Sequence, residues 1–357
     1  MSDSDSTLQN DLNVRVEGRA GRITLTRPQA LNALSYEMCT AIDTILRLWR
    51  EEEQVALVII DAEGDKAFCA GGDIAELYQT GRDGNFDYGR NFWRDEYRMN
   101  ALIADYPKPV ISFMQGFTMG GGVGLGCHGS HRIVDDSSRM AMPECGIGLV
   151  PDVGGTMLLA KAPEQLGAYL GLTGARMGPA DAILAGFADF YVPREHWDDL
   201  IWMLEASGDV SHVARHAKAP PEGRLAPIQP QIAHWFAGPN LMDIQAALQN
   251  DSSDLAAETL RALQRGSPLA MAAALEILAR LRSGPDDIRT ALKLEYRFTY
   301  RSMQQGDFLE GIRAQIIDKD RNPKWQYADG NVPDSALQAI LAPLGEDGLT
   351  FEEETTE

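Results

Sequence analysis

The sequence predicts an α/β protein with a helical C-terminal region. Three observations carry this. Apolar runs at residues 55–60 and 110–114 have the length and continuity of strands buried on both faces. Before the first of them, from Ser35 to Trp49, apolar residues recur at helical spacing, and strands alternating with helical stretches define the class. Beyond about residue 216 the strand signal stops and helical patterns follow. Composition agrees: 44% of the 357 residues are hydrophobic, enough for a core and too many for wholesale disorder.

Val14 and Val16, then Ile23 and Leu25, alternate with polar residues about a glycine-bounded turn at 18–21, which is a hairpin pattern. From Ser35 onward Met38, Ile42, Ile45, Leu46 and Trp49 recur at three and four, so an amphipathic helix follows. The run at 55–60 ends in Asp61, the run at 110–114 gives a second buried strand, and 132–134 gives a weaker third. Residues 217–231 hold Pro220, Pro221, Pro227 and Pro230 and read as an irregular crossing. Helices are expected at 255–264, at 267–281 with Ser267 as N-cap and Pro268 first in the helix, and at 286–300. From Trp325 to Glu357 there are eight acids and no Lys or Arg, the pattern of a solvated tail. The expected organisation is a polar N-terminal tail (1–12), an α/β core (13–216), a helical region (217–330) and an acidic tail (331–357).

Charge and composition exclude several functions. Lys and Arg number 32 against 52 Asp and Glu, a formal charge of −20, which argues against a nucleic-acid partner. No run reaches the roughly 18 uncharged apolar residues of a membrane span. Residues 1–9 show neither a secretory nor a transit pattern, and Cys39, Cys69, Cys127 and Cys145 form no CxxC pair. A cytoplasmic protein with ordinary thiols is expected.

Three glycine-rich stretches punctuate the α/β part: Phe68-Cys69-Ala70-Gly71-Gly72-Asp73, Gly120-Gly121-Gly122 and Pro151-Asp152-Val153-Gly154-Gly155. Glycines there let backbone approach a ligand and leave amides free for an anion; one such stretch reads as a turn, three as a site. Gly124, Gly126 and Gly129 satisfy GxGxxG, with Glu144 twenty residues after the first. Pro143 directly before that acid does not suit the end of a parallel strand, so the match is accidental. No phosphate-binding GxxxxGK[ST] is present, and Ser130 lacks the glycines of a nucleophile elbow. The pairs His128/His131 and His212/His216 lack the HExxH pattern, and no metal is expected. Glu144 and Asp152 flank an apolar, glycine-rich segment whose desolvation would raise a carboxyl pKa and suit acid–base work. The plainer reading of Asp152 is the N-cap of a following helix.

Phe68-Cys69-Ala70-Gly71-Gly72-Asp73, Gly116 with Gly120-Gly121-Gly122, and Pro143-Glu144 with Gly148 resemble the signatures of the crotonase (enoyl-CoA hydratase/isomerase) superfamily. The likeness continues through Asp307-Phe308-Leu309-Glu310-Gly311 and Asp318-Lys319-Asp320 and so covers nearly the whole chain. Chain length, residues 118–124 and residues 151–155 are similar to the 3-hydroxyisobutyryl-CoA hydrolase branch. The resemblance implies a crotonase-like spiral of ββα units closed by helices. It implies an oxyanion hole from the N–H groups of Gly72 and Gly121, substrate contacts at Gly71, Asp73 and Gly120, and catalytic carboxyls at Glu144 and Asp152. Preorganised amides suit thioester chemistry because negative charge develops on the carbonyl oxygen. Glu96 matches a further substrate-site acid of the branch, with a surface salt bridge as its plainer reading. Hydratases of the superfamily use two glutamates; the second matches Glu144, but the first falls at Gly124, which has no side chain.

The implied activity is hydrolysis of a short branched 3-hydroxyacyl-CoA thioester, with 3-hydroxyisobutyryl-CoA the best single expectation and valine degradation the setting. The alternatives are an enoyl-CoA or dienoyl-CoA isomerase that uses Glu144 and Asp152 to shuttle a proton, and a non-catalytic acyl-CoA-binding protein. No cofactor is implied, since CoA arrives within the substrate. The expected partner is that small molecule, with neither nucleic acid nor membrane, and with room for a homo-oligomer.

Overall fold

Nine strands form within residues 11–351, the part of the chain that a computed structural model describes: β1 (Leu12–Glu17), β2 (Ala20–Leu25), β3 (Leu57–Ala62), β4 (Ala67–Cys69), β5 (Val110–Met114), β6 (Phe117–Met119), β7 (His131–Val134), β8 (Arg139–Ala141) and β9 (Phe190–Tyr191). They fall into two sheets, ordered β1-β2-β3-β5-β7-β9 and β4-β6-β8. The expected hairpin is β1–β2, with Val14 opposite Ile23; from β2 onward the large sheet is parallel. In each pair β3–β4, β5–β6 and β7–β8 the first strand enters the large sheet and the second the small one, and a helical segment follows. This is a ββα spiral. The strands β4, β6 and β8 are three residues each, too short to leave a period in the sequence. The strand expected at 55–60 begins instead at Leu57, because Val55 closes a turn on the Glu52 carbonyl.

The chain packs as two units, each assembled from separate stretches. Of the described residues, the first holds those up to Asp73, then Arg98–Met140 and Arg176–Ala226; the second holds Ile74–Tyr97, Ala141–Ala175 and those from Pro227 on. The chain passes between the units several times, last at Ala226/Pro227 and not at residue 217, and the helical unit takes in two segments from the expected core. Long-range packing makes that choice, and spacing along a sequence does not record it.

In the first unit Ile59, Ile111 and Ile133 project from β3, β5 and β7 into a core shared with Phe113, Leu200 and Leu204. Trp197 meets Phe113 edge-on at 5.1 Å between ring centroids and donates its indole N–H to the Val192 carbonyl at 2.9 Å. The helix Tyr36–Glu51 is capped by Ser35 and buries Met38, Ile42, Leu46 and Trp49, as its periodicity predicts.

In the second unit the helices Asp254–Leu263, Pro268–Ser283 and Ile288–Gln305 start from side-chain caps at Ser253, Ser267 and Asp287. The proline-rich crossing ends sooner than expected. A helix already runs over Gln229–Trp235 with Pro230 in its first turn, where a missing N–H costs no hydrogen bond. The solvated-tail expectation also fails within the described residues. The helix Asp334–Ile340 forms, Ile340, Leu341, Leu349 and Phe351 are buried, and Arg289 and Lys293 lie over the Phe351 ring. Those four apolar side chains tie down a segment whose acids face water, a signal that the charge count hid. Residues 1–10 and 352–357 of the expected tails lie outside the described residues, and Leu12 is already strand. No described helix is long and apolar enough to cross a membrane.

Candidate active site

The sequence-predicted carboxyls Glu96, Glu144 and Asp152 all belong to the second unit, and each is at least 95% inaccessible. Glu96 lies on the helix Phe86–Ala104 and Glu144 on the one-turn helix Glu144–Ile147. Asp152 lies just before the helix Gly155–Lys161.

Backbone contacts hold the Glu144 turn from several sides. The Cys145 carbonyl accepts the Ser267 N–H at 2.8 Å, and the Glu144 carbonyl accepts the Leu149 N–H at 3.0 Å. Gly148, at φ +77°, sits so close to Asp307 that a Cβ would lie 2.5 Å from its carbonyl carbon. A Cβ on Gly311 would lie 2.2 Å from the Ile147 oxygen. The motif Asp307-Phe308-Leu309-Glu310-Gly311 thus braces the turn that presents Glu144. Asp307 adds hydrogen bonds from the Ser267 hydroxyl at 2.7 Å and the Gln326 N–H at 3.0 Å.

Asp152 does not cap its helix, contrary to the plainer sequence reading. Its Oδ2 accepts the buried Tyr97 hydroxyl at 2.8 Å. The capping is done from a distance by Glu295 of the helix Ile288–Gln305, which accepts the Gly154 N–H at 2.8 Å, the Thr156 N–H at 3.1 Å and the Thr156 hydroxyl. Nor does Glu96 make a surface salt bridge: it is buried, and Arg94 pairs with Asp95 instead.

Glu96, Glu144, Asp152 and Glu295 are therefore all buried in this unit, and among the described residues no Arg or Lys pairs with any of them. Burial, and next the Asp152 charge, push Glu96 and Glu144 well above the ordinary carboxylate range. Burial raises Asp152 to about 7 against the downward pull of the Tyr97 hydroxyl. Glu295 is raised by burial to about 8 despite the donors around it. The Oε1 of Glu96 and the Oε2 of Glu144 have no hydrogen-bond partner among the described residues. Buried acceptors without donors fit a ligand that brings hydroxyl or water protons. Sequence reasoning missed Tyr97 and Glu295, since one tyrosine and one glutamate on long helices carry no motif; only the fold brings them to Asp152.

The glycine candidates belong to the first unit. Here β4 and β6 run parallel with Cys69 beside Thr118, so Gly71-Gly72 and Gly120-Gly121 leave neighbouring strand ends. Gly71 takes φ +121°, Gly72 bridges to Leu34, and Gly120 at φ +50° starts the helix Gly121–Gly126. Among the described residues neither the Gly72 nor the Gly121 N–H donates to a backbone carbonyl. A Cβ on Gly122 would lie 2.1 Å from the Cys69 carbonyl oxygen, so this approach of helix to strand requires glycine. Asp73 pairs with Arg27 at 3.2 Å. Gly124 is buried within the same helix, which follows a strand without forming a dinucleotide loop. The histidines have local partners: His131 Nδ1 and the Ser130 hydroxyl are 2.9 Å apart, and His216 Nδ1 is 2.8 Å from the His212 carbonyl.

Residues 20–341 match the family model described as enoyl-CoA hydratase/isomerase. The chain belongs to that family. It is 37% identical over 346 residues to the mitochondrial 3-hydroxyisobutyryl-CoA hydrolase of Rattus norvegicus, covering 94% of this chain and 89% of that one. The corresponding Homo sapiens protein is 34% identical at the same coverage. Among solved structures, an enoyl-CoA hydratase from Rhodobacter sphaeroides 2.4.1 is 58% identical with a TM-score of 0.92, covering 96% of this chain and all of that one. A carnitinyl-CoA dehydratase from Mycobacterium thermoresistibile is 41% identical with a TM-score of 0.90, covering 96% and 99%. The ββα spiral is thus the crotonase fold, and the chain is an enzyme of the enoyl-CoA hydratase/isomerase family.

Proposed function

We propose that this enoyl-CoA hydratase/isomerase family member hydrolyses a short branched 3-hydroxyacyl-CoA thioester, with 3-hydroxyisobutyryl-CoA as the substrate and 3-hydroxyisobutyrate and CoA as the products. The observation that carries the reading is the buried Glu144, with Oε2 unpartnered, joined by Asp152 as second carboxyl where residue 124 is glycine. Relatives named 3-hydroxyisobutyryl-CoA hydrolase over nearly their whole length support it.

In this reading the N–H groups of Gly72 and Gly121 receive the thioester oxygen and stabilise its developing charge, commonly worth about 10²–10³ in rate per donor. Glu144 acts as its carboxylate, either drawing a proton from water or attacking the carbonyl carbon to form a mixed anhydride that water then opens. Its raised pKa makes that carboxylate a stronger base than an exposed one. Asp152, held by Tyr97, orients the water or the substrate 3-hydroxyl, and the unpartnered Oε1 of Glu96 offers that hydroxyl an acceptor. The thiolate of CoA leaves and takes a proton.

A hydratase is the second reading, favoured by the name of the Rhodobacter structure, and an isomerase is a third. Release of free CoA, trapped by a thiol reagent, separates the first reading from the other two, both of which leave the thioester intact. A panel of acyl-CoA thioesters with and without a 3-hydroxyl should show release, fastest with 3-hydroxyisobutyryl-CoA. Consumption of an unsaturated thioester without any thiol release would overturn the proposal.

A further inference from the structure

Asp152 is followed by two residues in the left-handed region, Val153 at φ +53° and Gly154 at φ +78°. For a β-branched residue such as Val153 this backbone is costly and persists only where its surroundings impose it. The helix that follows, Gly155–Lys161, has no side-chain cap of its own. A local serine or aspartate ordinarily does that work. Here it comes from Glu295, fully buried on a helix far along the chain, whose two oxygens take three donors: both the Gly154 and Thr156 N–H groups and the Thr156 hydroxyl. A buried acid without a cation is an expensive cap. Its consequence is that Asp152, the neighbouring acid able to cap this turn, is released to accept from Tyr97 instead.

We propose that Glu295 is a positioning residue of the reaction, its carboxyl clamping the 152–156 turn so that the Asp152 carboxyl is held in its working orientation. The inference rests on the role given above to Asp152. Glu295→Gln keeps the size but turns one acceptor into an NH₂, which meets an N–H donor of the turn and loosens the clamp.

The test is a double-mutant cycle on free-CoA release from 3-hydroxyisobutyryl-CoA, using the full chain with Glu295→Gln, Asp152→Asn and both together. Expected are a fall in kcat of about tenfold or more for Glu295→Gln with KM within about twofold, and a further loss below about twofold in the Asp152→Asn background. Equal factors in both backgrounds, or a change in KM alone, would overturn the positioning role. Wild-type turnover of Asp152→Asn is a distinct failure: it removes Asp152 from the reaction and the proposal with it. Should Glu295→Gln not fold, Thr156→Val removes the hydroxyl donor alone. It should lower kcat by about threefold and likewise lose its effect beside Asp152→Asn, and a full effect in both backgrounds would overturn the proposal.

Discussion

Glu144 carries a buried oxygen that nothing among the described residues satisfies, and burial with the nearby Asp152 charge holds its proton tightly. Replacing it by glutamine keeps the size but removes the base. Glu144→Gln should remain folded and lose about 10²–10⁴ in kcat for thioester hydrolysis. A substantial fraction of wild-type kcat, with an unchanged thermal melt, would exclude Glu144 from the chemistry. Asp152 makes a prediction about stability. Its folded pKa, raised to about 7, exceeds the unfolded value near 4, so the folded state retains a proton that the unfolded chain has lost. Stability is therefore lost as pH rises from about 4 to 7, by at most about 4 kcal/mol at about 1.4 kcal/mol per pH unit. Asp152→Asn lacks that loss and can still accept from Tyr97. Its Tm relative to wild type should be higher at pH 8 than at pH 5; a difference independent of pH would contradict the raised pKa.

Two elements fix the backbone of the candidate site, each with a residue that tests it. The helix Gly121–Gly126 has all six residues buried and packs so closely on Cys69 that only glycine serves at 122. At its first position Gly121→Val places a branched side chain beside the N–H assigned to the thioester oxygen, and activity should fall even where circular dichroism shows a native fold. A folded variant hydrolysing at wild-type rate would remove Gly121 from the oxyanion hole. The helix Pro268–Ser283 is started by the fully buried Ser267, whose hydroxyl accepts the Ala270 N–H at 3.2 Å and donates to Asp307 at 2.7 Å. Ser267→Ala should cost about 1–3 kcal/mol in chemical denaturation, a lost cap plus a buried Asp307 oxygen with one donor fewer. A loss under about 0.5 kcal/mol would mean that the bracing of the Glu144 turn does not depend on this serine.

At the scale of the whole molecule, relatives named hydrolase and neighbours named hydratase share one fold, so the fold cannot choose the reaction. The choice rests on which carboxyls the spiral carries. The resemblance puts Gly124 at the position of the first hydratase glutamate; on that reading crotonyl-CoA should lose its conjugated absorbance slowly while 3-hydroxyisobutyryl-CoA releases CoA quickly. Fast hydration without CoA release would return the chain to the hydratases.

The α/β class, the hairpin, the long buried strands and the main helices were legible in the sequence because each is written in local periodicity or in one capping residue, as with the spacing of Met38, Ile42 and Trp49, the cap at Ser267 and the unbroken run of β3. The glycine motifs and Glu144 were legible as candidates from local composition, and their roles only through family resemblance; the undonated amides and the contacts that demand glycine appear in the folded chain. Other features only tertiary structure decided. Nothing near Asp152 in sequence says that Glu295, on a helix far downstream, takes over its cap, or that Tyr97 then receives its carboxyl. Nor does the charge of the last segment reveal that Leu341, Leu349 and Phe351 fold it down. The physical reason is common to all of these. Desolvation and hydrogen bonding act between groups brought together by long-range packing, whereas the sequence displays only what neighbours along the chain impose on one another.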